Sequence, residues 1–138
     1  MASGSKDNTI KIWHTDRTSS LLFVLKQTLY GHTNLITCLV RLFEDEYERE
    51  EMASSSRVGE IRIWSPLNQN NDVFELKQTL VGHKHYVLFL ASKGFYLANG
   101  SLKEIRIWHL MMMIMTTNEN GRQVRVDTNN FSLKIKFT

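Results

Sequence analysis

Leu25-Lys26-Gln27-Thr28-Leu29-Tyr30-Gly31-His32 returns as Leu76-Lys77-Gln78-Thr79-Leu80-Val81-Gly82-His83, with one substitution in eight residues. A near-verbatim octapeptide marks an internal repeat, and such a repeat outranks local patterns in deciding a fold. A second phrase keeps step with it: Thr9-Ile10-Lys11-Ile12-Trp13, Glu60-Ile61-Arg62-Ile63-Trp64 and Glu104-Ile105-Arg106-Ile107-Trp108. Each copy ends in one of the three tryptophans. Trp13 to Gly31 and Trp64 to Gly82 both span 18 residues, so the two phrases belong to one unit.

Working outward, each unit reads as short strands. Ala2 to Ser5 and Thr9 to Trp13 alternate apolar and polar residues around Lys6-Asp7-Asn8, whose Asp and Asn tolerate the left-handed backbone of a tight hairpin. Leu21 to Leu29 is a third strand, rich in β-formers. Leu35 to Phe43, Met52 to Ser56, Glu60 to Trp64 and Val73 to Leu80 repeat the pattern. Pro66 opens the last polar connection. Tyr86 to Ala91, Phe95 to Ser101 and Glu104 to Leu110 repeat it again, with Ser92-Lys93-Gly94 as a turn. The expected organisation is 1–34 as the end of a first unit (strands 2–6, 9–13 and 21–29) and 35–80 as a complete unit with an acidic loop at 44–51. A further unit follows at 81–117, and 118–138 is a degenerate tail with scope for extra strands.

At 138 residues the chain is long enough for one ordinary core. Cys38 is the single cysteine, which rules out an internal disulfide and suits a small core residue in a reducing compartment. The opening Met1 to Asp7 has no apolar centre of the kind a secretory leader carries. The run Leu110 to Met115 is too short to cross a bilayer. An intracellular address, cytoplasmic or nuclear, is expected. The net charge of +3 hides an asymmetry, because Glu44 to Glu51 holds six acidic residues against Arg49. The dispersed basic residues read as a solvated surface, with nucleic acid or another acidic partner as the alternative.

Gly-His before the first strand of a unit and Trp at the end of its third resemble the WD-repeat family of β-propellers over roughly Met1 to Leu110. The resemblance implies an all-β fold: a partial, open β-propeller of four-stranded antiparallel blades, about two and a half of them. That count suggests a fragment or degenerate gene product, either an open arc or one that pairs with copies of itself or a complementary propeller fragment. In the family, a blade is locked by the His of Gly-His, a Ser or Thr, an Asp in a turn and the Trp. By position the structural set here is Ser3, Asp7 and Trp13; His32, Ser54 and Trp64; and His83 and Trp108, with Asn99 in place of the hydroxyl. Val58 and the Leu102-Lys103 pair stand where the Asp belongs, so no unit is expected to be complete.

The resemblance also implies a non-catalytic protein-protein interaction scaffold whose loops meet partners. The positions singled out are Tyr30, Thr33, Asn34, Arg57, Lys84 and His85. No catalytic residues are expected, since no nucleophile-elbow or phosphate-loop glycine pattern occurs. No metal or cofactor is expected either, because His83, His85 and Cys38 lack zinc spacing. For the nucleic-acid alternative the candidate phosphate contacts are Arg62, Arg106, Lys11 and Lys26, and a non-functional propeller fragment is the remaining alternative.

Overall fold

A computed structural model describes residues 1–15, 23–42, 50–67, 73–110, 114–117, 123–126 and 131–136. In chain order the strands are β1 (Ala2–Gly4), β2 (Ile10–His14), β3 (Val24–Leu29), β4 (Ile36–Leu42), β5 (Glu51–Ser56), β6 (Glu60–Pro66) and β7 (Phe74–Val81). They continue as β8 (Phe89–Lys93), β9 (Tyr96–Gly100), β10 (Glu104–His109), β11 (Ile114–Thr117), β12 (Gln123–Val126) and β13 (Phe131–Lys136). The described residues contain no helix.

Every pairing is antiparallel. The first sheet has the order β1-β2-β3, the second β4-β5-β6-β7 and the third β8-β9-β10-β13, while β11 and β12 pair with each other. The repeated phrases give the sheets one register: Ser3 lies opposite Lys11, Ser54 opposite Arg62, and Asn99 opposite Arg106. The period of two then sends Ile and Trp to opposite faces. Ile10 and Ile12 face the second sheet, where they are buried with Met52 and Trp64. Ile61 and Ile63 face the third, where Val87, Leu90, Leu97 and Trp108 cover them. Fully burying one such side chain contributes about 1.5–3 kcal/mol, so these two seams hold the arc together.

Polar ties reinforce the seams. The Ile36 amide donates to Ser5 O at 3.1 Å, joining the first sheet to the second. The Gln27 side-chain amide brackets the Phe74 backbone, donating to its carbonyl and accepting from its N–H, both at 2.8 Å. Ser92 Oγ donates to Arg41 O at 2.7 Å between the second and third sheets. The result is an open, partial β-propeller.

Several local expectations shift. The third unit's first strand is Phe89–Lys93 rather than Tyr86 to Ala91, and the chain reverses at Gly94-Phe95, where Gly94 has φ +54°. Pro66 ends a strand instead of opening a loop; it pairs only with Phe74, beyond the end of β5, so its missing N–H breaks no ladder on the inner side. The outer strand of the third sheet is β13, from the segment assigned to the tail, with Leu133 opposite Ile107. Most of the acidic loop expected at 44–51 lies outside the described residues, which resume at 50.

Candidate functional site

The second sheet carries a connected polar set at its buried heart. Gly31-His32 enters from the end of β3, Ser54 lies on β5, and Glu60, Arg62 and Trp64 follow at alternate positions on β6. His32 Nδ1 is 2.8 Å from Glu60 Oε1, and Nε2 is 2.6 Å from Ser54 Oγ. Trp64 Nε1 donates to the same hydroxyl at 2.7 Å. One tautomer satisfies everything: Nδ1–H donates to the carboxylate, Nε2 accepts from the Ser54 hydroxyl, and that oxygen accepts from the indole. Burial holds the His32 pKa below the ordinary imidazole value, against the opposing pull of Glu60, so the ring is neutral. Arg62 Nε lies 3.3 Å from Glu60 Oε1. A Cβ on Gly31, whose φ is +139°, would overlap the Arg62 guanidinium.

The third sheet repeats the arrangement with one exchange. His83 Nδ1 lies 3.0 Å from Glu104 Oε1, and Arg106 Nε donates to that oxygen at 2.9 Å. Arg106 Nη2 donates to Gly82 O at 2.5 Å. His83 Nε2 meets the Asn99 amide where the second sheet has a hydroxyl. An amide oxygen cannot both donate and accept as a hydroxyl does, and the set is poorly satisfied as a result. Asn99 Nδ2 and Trp108 Nε1 have no partner. His83 Nδ1 is close to the Glu104 carboxylate but makes no hydrogen bond that meets the geometric requirement.

In the first sheet Trp13 Nε1 donates to Ser3 Oγ at 2.8 Å. Asp7 stays in its exposed turn, accepting from the Thr9 hydroxyl at 2.6 Å and the Thr9 N–H at 3.0 Å. These bonds hold its carboxyl below the usual range. Asn8, at φ 70°, closes the hairpin in the left-handed conformation.

At the end of the sheets where the Gly-His segments lie, the loops enclose a cleft of about 570 Å³ lined by Asn34, Arg57, Val58, Lys84, His85, Tyr86 and Leu102. It draws on the β3–β4, β5–β6, β7–β8 and β9–β10 connections. The Arg57 guanidinium carbon sits 4.6 Å from the centre of the Tyr86 ring. Gly59, at φ +85°, lets the β5–β6 turn press against the next loop, where a Cβ would lie 2.7 Å from His83 O. Arg57 and Lys84 are the charged residues among the cleft's described lining, so it is basic. Asn34, Arg57, Lys84 and His85 thus meet, while Tyr30 (75% exposed) and Thr33 stand outside the lining. No group of three or more His, Cys, Asp or Glu residues that could hold a metal occurs among the described residues.

Residues 1–14 match the family described as WD domain, G-beta repeat. Over 102 residues the chain is 36% identical to the nuclear distribution protein PAC1-1 of Uncinocarpus reesii, a match covering 74% of this chain and 20% of the relative. It is 31% identical to the nuclear distribution protein nudF 1 of Talaromyces marneffei over 115 residues, which cover 78% and 22% respectively. The nuclear distribution protein nudF of Aspergillus niger is 36% identical over 112 residues, covering 78% and 23%. This chain belongs to the WD-repeat family. It spans about a fifth of the length of the curated relatives it matches.

One correction concerns the WD-repeat lock itself. The second and third units were expected to lack a carboxylate, because Val58 and Leu102 fill the Asp position. Glu60 and Glu104 supply it from two residues further on, their longer side chains reaching back to the imidazole. The signal was present: both His-bearing units read Glu-Ile-Arg-Ile-Trp, whereas the first reads Thr-Ile-Lys-Ile-Trp. Arg62 and Arg106 are two of the four candidate phosphate contacts, beside Lys11 and Lys26. Both guanidinium groups are engaged within their own blades and only 15% and 12% exposed. No helix of the described residues is long and apolar enough to cross a membrane.

Proposed function

We propose that this WD-repeat chain is a non-catalytic, intracellular protein-protein interaction scaffold that receives partners at the basic cleft between its loops. The observation that carries this reading is the convergence of Asn34, Arg57, Lys84 and His85 from successive loops onto one cleft. Loops held by rigid sheets are where binding residues concentrate, and an Arg stacked on Tyr is a pre-ordered contact. The polar His-Ser-Trp sets offer no open nucleophile, since Ser54 is fully buried and spends its hydroxyl on His32 and Trp64. The relatives are named for nuclear distribution, and participation in that process is the first biological setting to test. Open end sheets add self-association, or pairing with a complementary propeller piece, to the expected partners. Nucleic acid is the second reading, and two of its four candidate contacts, Arg62 and Arg106, already bond within their own blades.

Affinity capture with mass spectrometry tests the reading, run with the natural chain and with an Arg57→Glu/Lys84→Glu variant shown to be folded. A defined protein set retained by the first and lost by the second is expected. Equal capture by both, or small-molecule turnover abolished by His32→Ala, overturns it.

A further inference from the structure

We propose that the cleft between the loops takes an acidic segment of a partner protein, with carboxylates on Arg57 and Lys84 and apolar side chains against Val58 and Leu102. The proposal rests on the scaffold reading of that same cleft and names its occupant. The disposition of the chain's cations carries it. Arg41, Arg62 and Arg106 each meet a carboxylate of this chain: Glu50 at 2.8 Å, Glu60 at 3.3 Å and Glu104 at 2.9 Å. Lys77 likewise meets Glu51 at 2.5 Å. Arg57 and Lys84 are exposed and have no such partner among the described residues; Arg57 lies over the Tyr86 ring instead. No acidic residue is among the cleft's described lining. Two cations lining one concave site without an anion raise its potential, and an incoming carboxylate relieves their repulsion.

The site is also built in advance. The Arg57 N–H donates to Leu35 O at 3.1 Å, tying the β5–β6 turn to the β3–β4 loop. Gly59 packs the same turn against His83 O. Asn34 Oδ1 accepts from the Leu35 N–H at 2.9 Å, so its amide nitrogen is the part left to donate to an anion. A cleft ordered before binding loses less entropy when it fills. A guanidinium laid flat on a ring keeps its N–H edge for the planar, two-oxygen fork of a carboxylate. Phosphopeptide sites draw on clusters of arginine, whereas this lining has one. A nucleic acid would call for open stacking rings, but Arg57 already occupies a face of Tyr86. Val58 and Leu102, 47% and 67% exposed, offer apolar contact that suits a peptide's side chains better than a phosphate backbone.

Fluorescence anisotropy tests it, using a short labelled peptide of Glu, Leu and Gly and counterparts with Gln or Lys in place of Glu. Saturable binding of the Glu peptide is expected, weakening as salt is raised. Arg57→Glu/Lys84→Glu, shown to be folded by near-UV circular dichroism, should bind it at least about tenfold less tightly. The same variant should take up the Lys peptide, which the natural chain leaves unbound; a collapsed cleft would bind neither. Val58→Ser/Leu102→Ser should weaken the Glu peptide while leaving its salt dependence intact. Equal affinity for the Gln peptide overturns the proposal. So does a phosphoserine peptide or a random oligonucleotide that binds the natural chain where the Glu peptide does not. Proteins captured through Arg57 and Lys84 that excess Glu peptide fails to release would overturn the acidic occupant and leave the scaffold reading standing.

Discussion

Glu60 Oε1 lies 2.8 Å from His32 Nδ1, and this pair selects the imidazole tautomer on which the second blade's whole polar set depends. With Nδ1 committed as donor, Nε2 must accept, and Ser54 is the donor within reach. Ser54→Ala would leave both the His32 nitrogen and the Trp64 N–H buried without partners. The expected loss is about 1–3 kcal/mol for each group left unsatisfied. Urea unfolding, followed by tryptophan fluorescence, measures it as a lowered midpoint at unchanged slope.

Burial of the His32 ring, which Glu60 only partly offsets, makes stability depend on pH. His32 has its pKa lowered in the folded chain, so below about 6.5 the unfolded chain binds the proton more readily. Stability contributed by the neutral ring is complete above that pH and is lost progressively as pH falls toward the folded value. Unfolding midpoints should therefore drop between neutral and mildly acidic pH. His32→Ala should be less stable throughout and show a shallower slope.

Asn99 offers the reverse experiment. Replacing it by the residue that serves the second blade, Asn99→Ser, provides a hydroxyl able to donate to His83 and accept from Trp108. Trp108 Nε1 now lacks a partner. A stabilisation of about 1 kcal/mol is expected, the usual net worth of one hydrogen bond. A higher unfolding midpoint than that of the natural chain would record it.

Gly59 joins the second blade's turn to the loop bearing His83 and His85, and it does so at φ +85°. Gly59→Ala places a Cβ 2.7 Å from one carbonyl oxygen and 2.9 Å from another, both backbone atoms that cannot swing aside. The left-handed conformation alone costs roughly 1–2 kcal/mol for a residue with a side chain. A lower midpoint is expected, together with weaker partner capture, because the displaced loop carries Lys84, His85 and Tyr86 of the cleft lining.

Much of this could be read directly from residue order. A period of two in Ile-x-Ile-Trp fixes strands and their faces, and repetition fixes one register for all three, because both properties are local and copied with the sequence. The spacing of Gly-His from Trp was enough to identify the kind of blade. What stayed hidden depends on reach across space. A carboxylate at Glu60 can replace one at position 58 because its side chain is longer, and only folded geometry reveals where its oxygens arrive. The place of the tail strand at the outer edge of the third sheet was hidden for a similar reason. Leu133 meets Ile107 through a long excursion of the chain, and no local pattern encodes such a pairing.

The cleft divides in the same way. That Asn34, Arg57, Lys84 and His85 sit in loops followed from the strands on either side of them. That they converge, while Tyr30 and Thr33 do not, was decided by how neighbouring sheets pack. Residue order alone determined the repeating strand and its two unlike faces, since alternation along an extended backbone needs no distant partner. Tertiary structure alone decided which of those faces are covered and which carboxylates meet which imidazoles, because burial and hydrogen bonding are properties of distances between segments remote in the chain.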